Sequence, residues 1–141
     1  MNANQKYPTQ QLLFFVAQDF DDATRALVLD HIRTMAGLRD WVISAPEPVD
    51  EAGENRTLGG ILTLYSAIPR GSLPTETDRR HLEEVKAIVK SLTRLSHEHM
   101  LAIEFELDGE FVGSIEDGKN DRSLEIGLIG EWERLLNSNL G

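Results

Sequence analysis

The sequence predicts an α+β domain, built from an antiparallel sheet of about five strands with helices packed on one face. The first observation is a hairpin signal, in which two alternating apolar and polar segments flank Asp108-Gly109. The second is a helical period in residues 82–95, where apolar residues recur three and four positions apart. The third is the order β-α-β-β-α-β-β-α in which the strand-like and helix-like segments follow one another.

The first half of the chain predicts three strands and one helix. The apolar run Leu12–Ala17 predicts a central strand that is covered on both faces. A start rich in carboxylates and a terminal glycine bound a helix that ends near Ala36. Trp41–Ala45 is predicted as the second strand and Gly60–Ile68 as the third, and the acidic segment 46–56 between them is predicted as an exposed loop.

The second half begins with the strongest helical signal. Thr75 and Asp78 have the spacing of a capping box, and the helix is predicted to end near Ser96. After the hairpin, a loop is predicted to about Asp121 and a last helix beyond it; a short strand over residues 124–128 before a shorter helix is the alternative. One face of that last helix would carry Leu124, Leu128, Trp132 and Leu135.

The length of the hairpin loop decides which of its side chains share a face. A two-residue loop would set Glu106 opposite Phe111, whereas a three-residue loop keeps the odd-numbered residues from 101 to 115 on one face. The three-residue loop buries more apolar surface and is therefore predicted. It leaves Glu104, Glu106 and Glu110 close together on the outer face, where like charges repel one another and do not stabilise the fold.

The first six elements, β-α-β-β-α-β, have the order of the ferredoxin-like fold, in which helices cover one face of an antiparallel sheet. A further hairpin strand and a C-terminal helix are appended to this core. Residues 1–10 are polar and are predicted to form a flexible tail, and residues 11–141 are predicted to form a single domain.

The composition limits the classes of function. The net charge is −10, and residues 101–141 alone hold 10 acidic and 3 basic side chains. Such a field favours basic partners and repels nucleic acid and anionic membranes. The chain has no cysteine, no apolar signal sequence at its polar N-terminus and no apolar run near the ~20 residues of a membrane span. We therefore expect a soluble cytoplasmic protein.

No arrangement of reactive side chains predicts catalysis. His97 and His99 would share a face if the chain were extended, but a metal site needs three or four ligands and the spacing offers no third. His31 and His81 lie on predicted helices and are expected at the surface or its boundary. Paired carboxylates, such as Glu83-Glu84, fall on helix surfaces, caps or turns, where burial is not expected. We expect no catalytic residue, no metal and no cofactor.

The acidic hairpin ELDGEFVGSIEDG (106–118) and the closing segment GLIGEWERLL (127–136) resemble the small immunity proteins of bacterial polymorphic-toxin and contact-dependent inhibition systems. The resemblance implies a non-enzymatic cytoplasmic protein that neutralises one basic cognate toxin, often a nuclease, by occluding its active cleft. The carboxylates would take the places meant for phosphates. The expected partner-binding residues are Glu104, Glu106, Glu110, Glu116, Asp117, Asp121 and Trp132.

A second interpretation stays open at this point. A ferredoxin-like dimer with a pocket between its sheet and helices would make the chain a small enzyme or a ligand-binding domain. Tyr65, His97 and His99 would then be the polar groups of the pocket. The edge strands of the sheet are candidates for self-association, but the sequence does not decide between monomer and dimer.

Overall fold

The structure, a computed structural model, describes residues 7–51, 56–66 and 73–138. The strands are β1 (Thr9–Val16), β2 (Glu47–Glu51), β3 (Thr57–Tyr65), β4 (Ile103–Leu107), β5 (Glu110–Glu116) and β6 (Lys119–Asn120). The helices are α1 (Asp22–Ala36), α2 (Thr75–His99), a π-helix (Ser123–Gly130) and α3 (Glu131–Ser138).

The six strands form one antiparallel sheet in the order β2-β3-β1-β4-β5-β6. α1 connects β1 to β2 along the chain, and β3 lies between these two strands in the sheet. α2 likewise connects β3 to β4, and β1 lies between them. Each β-α-β unit is therefore split by a strand of the other, as in the ferredoxin-like fold. The predicted fold class is confirmed, and the short strand β6 is the addition that the sequence analysis did not include.

The core lies between the sheet and the helices. Alternate residues of the central strands, including Leu12 and Phe14 of β1 and Phe105 of β4, are buried against the helices. The buried stripe of α2 that meets them is Leu82, Val85, Ile88, Val89, Leu92 and Leu95. Leu13 and Phe15 on the other side of β1 are only half-buried and lie outside this cluster, so the prediction that β1 is covered on both faces is wrong.

Two predicted boundaries fall close to residues outside the described ranges. Of the predicted tail at residues 1–10, residues 1–6 lie outside, whereas Thr9 and Gln10 already pair with β3. The predicted end of the third strand at residues 67–68 also lies outside the described residues, and β3 itself runs from Thr57 to Tyr65.

The predicted second strand at Trp41–Ala45 is wrong. Trp41 lies in an irregular segment, where its Nε1–H donates to the carbonyl of Ala36 at 2.9 Å. The strand is β2 instead, inside the segment predicted as a loop. It lies at the edge of the sheet, where one side is unpaired and a proline is tolerated. The Nε–H of Arg25 on α1 donates to Asp50 of β2 at 2.7 Å, and this hydrogen bond lowers the pKa of Asp50.

The hairpin of β4 and β5 turns at Asp108-Gly109, as predicted, but through a two-residue loop. Leu107 pairs with Glu110, and both loop residues have positive φ, 49° for Asp108 and 86° for Gly109. Two consecutive positive φ angles are typical of the type I′ turn, whose twist matches that of the flanking strands. The preference for a three-residue loop is therefore wrong.

A β-bulge accounts for the part of the predicted register that is right. The register shifts between Phe105 and Glu106, so that Phe105 faces Gly113 as predicted, whereas Glu106 faces Phe111. The inserted residue lets the two-residue turn coexist with burial of Phe105. As a consequence, Phe111 shares the outer face with Glu106 and is absent from the core.

α2 is longer than predicted and ends at His99, where Met100 takes the left-handed conformation with φ 55°. The buried hydroxyl of Ser96 fixes this end. Its Oγ donates to the carbonyl of Leu101 at 2.6 Å and accepts the N–H of Gly118 at 3.0 Å. The last turn of α2 is thereby attached to the chain before β4 and to the turn after β5.

The C-terminal segment is helical, as predicted, but it begins as a π-helix, and the alternative of a short strand at residues 124–128 is wrong. The N–H of Glu131 donates to the carbonyl of Ile126, five residues earlier. Leu124 is buried against Gly113 of β5, where an added Cβ would overlap Leu124. The π-helix therefore packs on the face of the sheet that holds Phe105.

Candidate functional site

The face of the sheet that is turned away from the helices is the candidate site, and we call it the open face. Strand pairing places its side chains in two rows that cross the sheet from β2 to β5. The first row is Glu47, Ile61, Leu13, Glu106 and Phe111. The second row is Val49, Gly59, Phe15, Glu104 and Ser114.

The apolar side chains of the open face lie outside the core cluster. Leu13, Phe15, Val49 and Ile61 are half-buried by their neighbours, and Phe111 is 54% exposed. An antiparallel sheet with one face in water ordinarily alternates apolar with polar residues along each strand. A contiguous apolar area on such a face, rimmed by polar residues, is typical of an interaction surface.

Two carboxylates interrupt this apolar area. Glu104 lies opposite Phe15 and Glu106 lies opposite Leu13 on the neighbouring strand. Both are half-buried, and neither forms an ion pair with any residue of the described ranges. A half-buried carboxylate without a counter-charge does not stabilise the monomer, and an external cation would compensate it.

The remaining acidic residues of the predicted set lie apart from these two. Glu110 is exposed at the tip of the hairpin, beside the turn. Glu116 and Asp117 are exposed at the other end of β5, where Lys119 of β6 faces Glu116 in the register. The structure therefore brings together Glu104 and Glu106 on the open face, and it places Glu110 and the pair at 116–117 at opposite ends of one strand.

Asp121 has partners inside the chain. Its Oδ1 accepts the N–H of Leu124 at 2.8 Å, and its Oδ2 accepts the hydroxyl of Ser114 at 3.1 Å. The carboxylate thus caps the start of the π-helix and ties it to β5.

Trp132 lies on the helix side of the sheet. It is half-buried, and its Nε1–H donates to Oδ1 of Asp78 on α2 at 2.8 Å. The predicted capping box of Thr75 and Asp78 is wrong, because the N-cap of α2 is Pro74 and no side chain caps the helix. The Asp78 carboxylate accepts from Trp132 instead. The indole therefore joins α3 to α2.

The three polar groups of the pocket interpretation do not converge. The Tyr65 ring contacts the His81 ring edge-on, with their centroids 5.8 Å apart. His97 lies sixteen residues further along the same helix, about 24 Å away at the helical rise per residue. His97 and His99 are exposed in the last turn, and residues two apart on a helix do not share a face. In the described part of the chain, no three His, Asp or Glu side chains are grouped to hold a metal ion.

The prediction that His81 and Glu84 lie at the surface is wrong. Their exposed fractions are 0% and 2%. The backbone N–H of Tyr65 donates to Nε2 of His81 at 3.1 Å, so the ring proton lies on Nδ1, which donates to Oε1 of Glu84 at 2.8 Å. The other oxygen of Glu84 accepts the N–H of Val42 at 2.6 Å. Both ring nitrogens of His81 and both carboxylate oxygens of Glu84 therefore already have partners within the chain.

A sequence signal for this buried pair was available. Positions 81, 84, 85 and 88 have the spacing of one helical face, and residues 85 and 88 belong to the apolar stripe of α2. Chemically, the pair resembles the histidine and carboxylate of an acid–base site. All of its ring nitrogens and carboxylate oxygens form hydrogen bonds within the chain, however. These bonds join α2 to β3 and to the segment before β2.

A small cavity between the sheet and the helices holds about 10 Å³, room for at most one water molecule. Its walls are apolar and include Phe14, Ile32 and Leu92, but none of the three suspected polar groups. It offers no space for a ligand of metabolite size.

Comparisons of the chain with family models, with curated proteins and with solved structures find no match. Within residues 7–51, 56–66 and 73–138, no helix is both long enough and apolar enough to cross a membrane. The function proposed below is therefore argued from the geometry and charge of the open face.

Proposed function

We propose that this chain is a non-enzymatic binding protein that neutralises a basic partner protein, in the manner of the immunity proteins of bacterial toxin systems. The observation that carries the proposal is the pair Glu104 and Glu106, half-buried in an apolar sheet face without a cation. A surface of this kind is completed by a partner that supplies positive charge.

In this proposal the partner is a cytoplasmic toxin with a basic substrate cleft, as in a nuclease. The carboxylates of the open face take the places of substrate phosphates, and the body of the sheet blocks the cleft. The net charge of −10 attracts a basic protein over a distance and raises the association rate. Because salt screens this attraction, association is expected to slow as the ionic strength rises.

The test is affinity capture from a lysate of the native host, with the full chain immobilised and bound proteins released by a rising salt gradient. An unrelated acidic protein of similar net charge serves as the matched bait, since any acidic surface retains some basic proteins. We expect mass spectrometry to identify one basic protein that is retained by this chain and not by the matched bait. The activity of that protein should be lost when the chain is added. The proposal fails if nothing is retained beyond the matched bait, or if the retained protein is equally active with and without the chain.

A further inference from the structure

We infer that the open face is the docking surface, and that its occupant is a cationic amphipathic helix of the partner protein. This inference rests on the proposed function only in assuming a basic partner. It adds which surface binds and what kind of segment is bound. Three observations support it: the register of the strands, the absence of lysine and arginine from the two described rows of the open face, and the spacing of the carboxylates.

The register sets apolar and acidic side chains side by side. Leu13 and Phe15 are two residues apart on β1, and Glu106 and Glu104 lie directly opposite them on β4. Side chains two apart on a strand are about 6.8 Å from one another, and paired strands are about 4.8 Å apart. The open face therefore presents a line of apolar side chains with a parallel line of two carboxylates beside it.

A helix matches this pattern. Its residues at positions i and i+4 lie on one side about 6 Å apart along the axis, close to the strand spacing. A helix lying along β1 can therefore set apolar residues on Leu13, Phe15 and Ile61 while two lysines or arginines, four positions apart, reach Glu104 and Glu106. Phe111, beyond Glu106 in the same row, would then contact the stems of those cationic side chains.

Charge argues against a second copy of this chain as the occupant. In the two rows, the charged residues are Glu47, Glu104 and Glu106, and no lysine or arginine is among them. Two open faces stacked on one another would bury these carboxylates against other carboxylates or against apolar side chains, at a cost that no cation offsets. Nucleic acid and anionic membranes are repelled for the same reason.

The probe for the test is a synthetic Leu/Lys peptide patterned as an amphipathic helix, with a scrambled peptide of equal composition and charge as its control. Binding to the full chain is measured by fluorescence anisotropy. The variant pair Glu104→Gln with Glu106→Gln removes two charges from the open face. The matched pair Asp30→Asn with Glu83→Gln removes two charges from exposed positions on helices α1 and α2. Unchanged thermal unfolding shows that each variant folds.

We expect the patterned peptide to bind more tightly than the scrambled one. The open-face pair should weaken its binding about tenfold, whereas the matched pair on the helices should change it less than about threefold. Phe111→Ser should also weaken binding, and Leu38→Ser, at an exposed position two residues after the end of α1, should not. Equal binding of both peptides, or equal loss in both charge pairs, overturns the inference, as does self-association of the free chain in sedimentation velocity that Phe111→Ser abolishes.

The same variants separate this inference from the proposed function. If a basic partner is captured from the lysate by the wild-type chain and by the open-face pair alike, but is lost with the matched pair on the helices, the docking surface is wrong and the function stands. If no basic partner is captured at all, the proposed function fails whatever the peptide does.

Discussion

The two faces of strand β1 differ in what covers them. Phe14 is 1% exposed, and its ring lies 6.2 Å from that of Phe105 under the helices. Phe15, the next residue, points to the open face and has Glu104 opposite it. The two side chains are chemically identical, so the difference between them comes from the helices alone.

The two faces of the sheet therefore contribute differently to the stability of the fold. Burial on the helix side supplies the hydrophobic free energy that holds the fold. On the open face, apolar side chains remain half-buried, and Glu104 and Glu106 form no ion pair with any residue of the described ranges. In the proposed function, a partner would bury these apolar side chains and supply the missing positive charge. Substitution of like residues on the two faces should therefore change the free energy of unfolding by different amounts.

The largest expected effect comes from truncating one phenylalanine of this pair. Phe14→Ala should reduce the free energy of unfolding by about 3–5 kcal/mol, because it removes buried contacts and leaves a cavity. Phe15→Ala should reduce it by only about 1 kcal/mol, since much of its contact is with other side chains at the surface. Urea unfolding of both variants measures the difference. Equal losses would mean that the open face is covered in the free protein.

The second prediction compares a carboxylate on each side. Glu84→Gln should cost about 1–3 kcal/mol, because an amide in place of the buried carboxylate cannot accept from both His81 and Val42. Glu104→Gln should leave the free energy of unfolding within about 0.5 kcal/mol of wild type, because no described residue pairs with it. The exposed neighbour Glu83→Gln is the control on α2. A large loss in Glu104→Gln would reveal an internal partner and remove the main support for the open face as a binding site.

Most of the fold could be predicted from the sequence because periodicity reports burial. The stripe of α2 and the alternation in β4 each follow from one face being in the core, and they predict the correct elements. The Asp108-Gly109 turn was equally clear, because only certain residues accept two positive φ angles. These local signals together are enough for the ferredoxin-like order.

The features that escaped prediction depend on contacts made by distant parts of the chain. β2 is an edge strand whose one partner is β3, so it needs no apolar run of its own. The bulge arises because the two-residue turn pairs Leu107 with Glu110, whereas burial of Phe105 requires that it pair with Gly113. The π-helix depends on how Leu124 seats on Gly113.

The candidate site was predictable only in its charges. The alternation of apolar and acidic residues in β4 predicted that Glu104 and Glu106 share an outer face, but the apolar run of β1 predicted, wrongly, a strand covered on both faces. Which face the helices leave open follows from the packing of whole elements, and Leu13, Phe15 and Ile61 were therefore missed. The continuous apolar run was itself the available signal, because an uncovered apolar face also produces it.

The smallest expected effect concerns the rim of the helix layer, where burial is partial. His31 of α1 is half-buried, with its Nε2 2.8 Å from Oγ of Ser91 on α2. Burial lowers the pKa of His31 below its ordinary value of 6.5, against a smaller opposing effect of Glu98. The unfolded chain therefore takes up this proton at a higher pH than the folded chain. Stability from this group is complete above pH 6.5 and is lost as the pH falls through the folded-state pKa.

The variant His31→Gln isolates this contribution. The free energy of unfolding is measured from urea curves at pH 7.5 and at pH 5.0 for both proteins, and all other titrating groups are common to the two. We expect the wild type to lose more stability than the variant between these pH values, because glutamine keeps a hydrogen bond to Ser91 but takes up no proton. Equal losses of stability in the two proteins would show that His31 is as well hydrated in the folded chain as in the unfolded one. The edge between α1 and α2 would then be open to water, like the outer face of the sheet.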